Sequence, residues 1–476
     1  MATRSNKKSM FVTPDGSNVL FTFILVSSLF LLWGFCNGMI DVMDKHFQEE
    51  LSLSKSQSAW VQFAHYLGYF LMSLPAGWLA SKLGYKIGIV TGLLLVACGG
   101  FWFIPATHVN ALVHTGIVSP NMAFVAFLAG VCLIATGLTF LETIANPYTT
   151  VLGDPRFAAT RINLAQSCNG IGWILGPIVG SLYFYSKNAA GVNTGSQTLY
   201  IPYVGVGVVV VVLAVVFCFS PIPDIKAEDD YHLDDAGASA AKSIWSHPHF
   251  VLAVAAQFLY VAAQAGIFSF FINYMVAEPP PIPDSWAAGM KNLAAHSGFL
   301  QGWLLGWFET SKAGILALSN KGASNLASLG FVCFLVGRFT GAGLLKKYSA
   351  HKMLGLYGAM NVLMTLLVFL KLGWVSVACV FLSFFFMSIM FPTIFALGIF
   401  GLGARAKKAS AFIVMAIMGG AILPKVMGYV ADVFDMSRGF IVPMVCFAFV
   451  AFYGFNWPKF SQAESLNGMR AEGGHA

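Results

Sequence analysis

Twelve stretches of this chain are apolar for long enough to cross the roughly 30 Å of hydrocarbon in a bilayer, and that pattern restricts the fold more than any other feature. They lie near 19–40, 58–80, 86–106, 121–147, 162–186 and 200–221, then near 250–275, 323–346, 351–371, 374–400, 409–431 and 439–457. Lipid offers no partner for a backbone N–H or C=O, so spanning segments of this kind are helices that satisfy their own backbone. The expected fold is an all-α membrane protein with twelve transmembrane helices. Composition agrees: 57% of the residues are hydrophobic, 10% are charged and mean hydropathy is +0.74. The first run is expected to remain as a span. No small-residue cleavage pattern follows it, and Asn37, Gly38 and Asp41 stand where one would fall.

Short-loop Lys and Arg set the orientation. If the spans alternate, Arg4, Lys7, Lys8, Lys82, Lys86, Arg156, Arg161, Lys226, Lys242, Lys346, Lys347, Lys352, Arg405, Lys407, Lys408, Lys459 and Arg470 share one side. Lys45, Lys55, Lys187, Lys291 and Lys371 form the thinner opposite set. Both termini are therefore expected in the cytoplasm, with tails at 1–18 and 458–476. A linker at 222–249, carrying Glu228, Asp229, Asp230, Asp234 and Asp235, separates six-helix halves at 19–221 and 250–457. Two such halves match the parallel-repeat plan in which a central site opens alternately to the two sides. An outer segment, 277–322, begins with Pro279, Pro280, Pro281 and Pro283; its stretch Ser297 to Leu318 reads as an interfacial or re-entrant amphipathic element, with Trp303 and Trp307 suited to the headgroup layer.

Against this apolar background, Glu142 is conspicuous, because an acid in a span is costly and by default functional. Asp41, at the far end of the first run, is its companion. A carboxyl withdrawn from water holds its proton closer to neutral pH, the property a proton relay needs. The bland alternatives are a Glu142 satisfied by helix dipoles or hydroxyls and an Asp41 that is an ordinary helix-end acid beside Asp44 and Lys45. His65 is either a further member of the proton path or a helix-contact histidine. Protons are the expected coupling ion, with no cofactor and no metal: Cys36, Cys98, Cys132, Cys168, Cys218, Cys333, Cys379 and Cys446 occur singly and read as small hydrophobes. The net charge of +7 is spread as loop charge, so nucleic acid is not an expected partner. HExxH, GxSxG and GxxxxGK loops are absent from the sequence, which argues against an enzyme or an ATP-driven pump.

Side-chain amides accept and donate at once, so amides inside a bundle, beside aromatic faces, are candidate ligand contacts. Gln166 and Asn169 at i,i+3 share a face of the fifth span, and Gln257, Tyr260 and Gln264 form a similar stripe on the seventh. Asn37 and Asn273 are further polar candidates, with interhelical hydrogen bonding as their alternative. Trp33, Trp173, Phe268 and Tyr66 are available to stack on a ligand, with core or interface packing as their alternative.

The segments Glu142-Thr-Ile-Ala-Asn146-Pro147 and Arg161-Ile-Asn163-Leu-Ala-Gln166-Ser-Cys-Asn169 carry a resemblance, together with Asn37-Gly-Met-Ile-Asp41, Gln257 to Gln264, Gly337-Arg338-Phe-Thr-Gly341 and Phe391-Pro392-Thr. This combination resembles the fucose permease family of the major facilitator superfamily, whose members are sugar:proton symporters. The resemblance runs from about 18 to 457 and implies that superfamily's fold, a bacterial inner-membrane location, a monosaccharide substrate, lipid as the surrounding partner and a monomer. It also implies that Asp41 and Glu142 fall on the two acids that matter for transport, and Asn169 on a polar residue facing the central cavity. Family members carry fucose, galactose, glucose or N-acetylglucosamine; the departures at Gly38 and Ile40 lean away from fucose. The loop with Lys82, Gly84 and Lys86 resembles a gating loop, although Ser81 stands where an acid is usual, and Arg338 marks its relation in the second half. Lys425, after Pro424, either snorkels to headgroups or pairs with Asp432 or an acid across the vestibule. A proton-coupled symporter leads the function classes, ahead of a facilitative carrier or exchanger and a non-transporting sensor.

Overall fold

The computed structural model describes residues 10–12, 17–50, 53–113, 115–153, 158–185, 195–222, 243–296, 301–310, 316–345, 347–400, 402 and 406–461. The linker acids Glu228 to Asp235 lie outside them, as do Arg4, Lys7, Lys8, Arg156, Lys187, Lys226, Lys242, Lys346, Arg405 and Arg470.

Two bundles of six helices are built in chain order. The first span is Leu20–Glu50, and the second and third share the helix Trp60–Ala111, divided at Gly84. There φ is +84°, a left-handed conformation that glycine adopts without the penalty of a Cβ. Pro120–Val151, Ala158–Tyr183 and Tyr200–Phe219 complete the first bundle. The seventh span is Pro248–Ser269 followed by Phe271–Ala277, the eighth is Asn320–Leu345 and the ninth is Ala350–Phe369. The tenth is broken into Trp374–Met387 and Met390–Ile399, the eleventh bends through a 3-10 turn at Ala416–Met418, and Ile441–Ser461 is the last. Ten helices among the described residues are long and apolar enough to span alone. The second and fifth complete the twelve and are the polar ones, since they carry Gln62 and His65, and Arg161, Gln166 and Asn169. Val208, Val209, Val212 and Val215 of the sixth span are exposed, as a lipid-facing surface requires.

The first span is longer than its apolar run. Helix continues to Glu50, so Asp41 and Asp44 lie inside the bundle, where the sequence pattern ends the span at 40. Inside the first bundle, the first and fifth spans meet through Gly34, Gly38, Gly172 and Gly176. A Cβ on Gly34 would stand 2.1 Å from the Asn169 carbonyl oxygen, and one on Gly172 would stand 2.2 Å from that of Leu31. Small residues at four-residue spacing let membrane helices approach to backbone contact.

All hydrogen bonds between the two bundles among the described residues gather toward the end opposite the termini. Asn273 Nδ2 donates to Gln48 Oε1 at 2.8 Å, Ser181 Oγ to Asn325 Oδ1 at 2.7 Å, Ser324 Oγ to the Pro177 carbonyl at 2.9 Å and Ser328 Oγ to that of Ile174 at 2.8 Å. Asn320 donates to Glu49 across the same end. Asp432 accepts from the backbone N–H groups of Lys55 and Ser56 at 3.1 and 2.9 Å, and its carboxylate lies 3.8 Å from Lys55 Nζ. This overturns the pairing of Lys425 with Asp432, because Lys55 already occupies that carboxylate. Lys425 Nζ sits 3.7 Å from the centroid of the Trp60 ring, a cation–π contact across the bundles. The Lys55–Asp432 pair is partly exposed, so breaking it is expected to cost up to about 1 kcal/mol. Asp432→Asn should therefore raise the open fraction of this end severalfold, read as spin-label distances between the ends of the second and eleventh spans. An unchanged distance distribution would show that the latch does not bias the equilibrium.

The outer segment differs from a single amphipathic stretch. Asp284–His296 is a helix, Gln301–Leu304 is one turn, and Phe308–Thr310 pairs antiparallel with Leu316–Leu318, with Phe308 opposite Leu318. Trp307 Nε1 donates to the Trp303 carbonyl at 2.7 Å and the two rings meet edge-on at 5.1 Å, so the pair folds this segment on itself. The Trp303 carbonyl also accepts from Asn325 Nδ2 at 3.3 Å. That bond ties the segment to the residue that bridges the bundles.

Candidate functional site

The interior of the first bundle carries a file of polar side chains on its first two spans. Trp33, Asn37, Asp41, Asp44 and Gln48 recur at i+4 and i+3 steps, so they share one face of the first span. Gln62, His65, Tyr66 and Tyr69 do the same on the second. Gln62 Nε2 donates to Asp41 Oδ1 at 2.8 Å and, more weakly, to Asp44 Oδ2 at 3.5 Å. Asp41 is 7% exposed and Asp44 is 0% exposed. The placement of Asp41 at the far end of the first span is therefore corrected: the helix runs on beyond it and Gln62 covers it.

Glu142 enters this file from the fourth span. It is half-buried, and the Tyr69 hydroxyl stands beside both its carboxyl and the Asn37 amide. Tyr66 lies within electrostatic reach of Asp41, Asp44, Glu142 and Tyr260, which puts it at the junction of the file and the second bundle. Gly420 of the eleventh span packs directly on its ring. His65 is buried, with ring centroids 5.0 Å from those of Tyr66 and Tyr69, and its Nδ1 has no hydrogen-bond partner. Trp33 Nε1 and Asn37 Oδ1 are likewise buried and unpaired. Buried polar atoms left in this condition cost about 1–3 kcal/mol each, and their clustering marks a place where a ligand or water completes the bonding.

The other sequence candidates divide. Gln166 is half-buried and donates through Nε2 to Asn146 Oδ1 at 3.0 Å, one turn below Glu142. Asn169, on the same helix, turns instead to the first span, where Nδ2 donates to the Phe30 carbonyl at 3.2 Å. The glycine contact brings the Phe30 carbonyl within reach of the amide. In the second bundle Gln257 is 0% exposed, and neither its Nε2 nor its Oε1 has a partner. Gln264 is half-buried. Tyr260 donates to the Met387 carbonyl at 2.9 Å, a group freed where the tenth span breaks. Asn273 is spent on Gln48 at the closed end. Trp173 and Phe268 do not form an open stacking platform, since Trp173 packs on Phe268 and Phe331 at 5.6 and 4.9 Å and closes the seam between the bundles.

Of the gating candidates, Lys86 donates to the Ser220 carbonyl at 3.0 Å and Lys82 lies over Trp78 at 5.1 Å. Arg338 is not a loop residue. Two turns inside the eighth span, it rests on Phe334 at 5.0 Å and interacts with Tyr260. Gln62, Asp44, Tyr69 and Gln48 were missed from the sequence, and the i+3/i+4 spacing of 37, 41, 44 and 48 was the available signal.

Two six-helix bundles, a seam closed at one end and unpaired polar groups facing a common centre together define a multi-pass carrier of the alternating-access type. The Major Facilitator Superfamily model matches residues 22–308, and the chain belongs to that family. It is 31% identical over 443 residues to the glucose/galactose transporter of Brucella abortus, covering 93% of this chain and 95% of that protein. It is 32% identical over 446 residues to the L-fucose-proton symporter of Escherichia coli, covering 90% and 91%. A solved Major Facilitator Superfamily transporter in the outward conformation superposes with a TM-score of 0.60 at 32% identity, over 92% of this chain and 99% of that one.

Proposed function

We propose that the chain is a proton-coupled symporter that imports a monosaccharide, a hexose, 6-deoxyhexose or N-acetylhexosamine, across the bacterial inner membrane by alternating access. The observation that carries this reading is Glu142, an acid in the fourth span beside Tyr69, which also reaches Asn37 one helical turn before Asp41. The names of the relatives support it, since both a glucose/galactose transporter and an L-fucose-proton symporter match over nearly the whole chain. The bundles are the units 19–221 and 250–457, joined by the linker 222–249, and both termini face the cytoplasm. In that orientation the seam closes the outer side, which is the inward-facing arrangement. Sugar binds between the bundles, with Gln166, Gln257, Gln264 and Asn37 meeting its hydroxyls and Trp33 its apolar face. The protein works as a monomer with protons as its only cofactor.

Addition of sugar to de-energised proteoliposomes should draw protons inward, and a panel of glucose, galactose, fucose and N-acetylglucosamine would identify the substrate. Counterflow without proton movement would favour a facilitative carrier, and binding without flux a sensor. Gln166→Ala is expected to weaken sugar binding by about 1–3 kcal/mol, measured by calorimetry in detergent, because a hydroxyl loses its partner. Affinity equal to the parent's would remove Gln166 from the site.

A further inference from the structure

We infer that Asp44 is a further proton-carrying residue of this transporter, beside Asp41 and Glu142, and that Asp41 and Asp44 hold one proton between them with Gln62 as the positioning residue. The inference rests on the symport reading and adds to it a residue that the Asp41–Glu142 scheme does not use. Both carboxyls are buried on one face of the first span and share a single donor, Gln62 Nε2, at 2.8 and 3.5 Å. Each is left with one unpaired oxygen, Oδ2 of Asp41 and Oδ1 of Asp44. An independent group points into the same place from the other bundle: the Ser269 hydroxyl, fully buried, stands beside Asp44 without completing a hydrogen bond of good geometry.

No cation among the described residues faces the pair. Lys45 turns to Glu49 at 3.5 Å, His46 packs among Phe47, Phe184 and Tyr185, and His65 lies against Tyr66 and Tyr69. Of the phenols near Asp44, the Tyr185 hydroxyl donates to the Val42 carbonyl at 3.0 Å and Tyr203 is directed at Met43, while Tyr66 lies within electrostatic reach of both acids. Asn273, one turn beyond Ser269, is bound to Gln48. Two carboxyls that share one donor and face no counter-charge repel each other when both are charged, and a proton held between them relieves that repulsion. Because Ser269 belongs to the second bundle, parting of the seam changes the surroundings of the pair. Opening to water lets the proton exchange with the solvent, and closure holds it; no bond other than O–H is made or broken.

The experiment uses the full chain in proteoliposomes. Infrared spectra recorded against pH in the Glu142→Gln background should contain a protonated-carboxyl band near neutral pH that either Asp41→Asn or Asp44→Asn removes, the double variant removing no more than one. In the otherwise native chain, Asp44→Asn should move the pH profile of sugar-driven proton uptake toward lower pH. Gln62→Leu, which keeps both acids and removes their donor, should move it toward higher pH and serves if Asp44→Asn fails to fold. A band that survives in folded Asp44→Asn, or unmoved profiles in the folded variants, overturns the shared proton. Wild-type protein that accumulates sugar with no proton movement would instead overturn the symport reading itself.

Discussion

Glu142→Gln is expected to abolish sugar-driven proton uptake while sugar exchange down its gradient remains detectable. The amide keeps the shape of the side chain, but it cannot release a proton, so binding and coupling separate. Active accumulation should fall to the external concentration. The half-buried position of the carboxyl, beside Tyr69, makes this the substitution with the largest effect on transport. Proton uptake by the folded variant at the parent's stoichiometry would take Glu142 out of the mechanism and return it to the role of a structural acid.

Gly34→Val should have the largest effect on the fold. Its Cβ would fall 2.1 Å from the Asn169 carbonyl oxygen, so the first and fifth spans would have to separate along a seam that backbone atoms fill on both sides. Overpacking of ordinary side chains costs about 1–3 kcal/mol, and a clash between two helix backbones lies at or beyond the upper end. The separation would also break the Asn169–Phe30 bond. Size-exclusion profiles should lose the monodisperse peak, whereas Gly205→Ala, where nothing lies within 4 Å of the added carbon, should keep it. Equal thermal stability of Gly34→Val and the parent would mean that the two spans do not meet as described.

The spans were legible because a bilayer demands long apolar helices whatever packs beside them. The end of the first span was not. Asp41, Asp44, Lys45 and His46 look like a loop when hydropathy is summed along the chain, yet Gln62 on the next helix and the Lys45–Glu49 pair provide for them in place. The importance of Glu142 was visible as a charge out of context, while Tyr69, an ordinary aromatic by composition, gained its role only from its neighbours. The Asn169–Phe30 bond was hidden for a related reason: which partner an amide finds depends on how closely the opposite helix approaches, and Gly34 on that helix allows backbone contact here. Lys425 found a ring rather than an acid, because Trp60 is brought to it from a distant part of the chain. The hairpin at Phe308 to Leu318 escaped a reading tuned to helices, since six residues of strand leave little periodicity.

The seam has a consequence for the transport cycle in terms of populations. Its bonds, from Ser181–Asn325 to Lys55–Asp432, contribute about 0.5–1.5 kcal/mol each at most, and they all act in the same direction. Moving a two-state protein from one dominant conformation to the other takes about 5.5 kcal/mol of differential binding. A seam of this size therefore gives the empty carrier a strong resting preference, and a second set of interactions, formed only when the opposite end closes, has to match it for the cycle to turn over quickly. Weakening single seam contacts is then a graded control: it changes how long the carrier dwells facing each side without altering a sugar ligand, so turnover can be tuned separately from affinity.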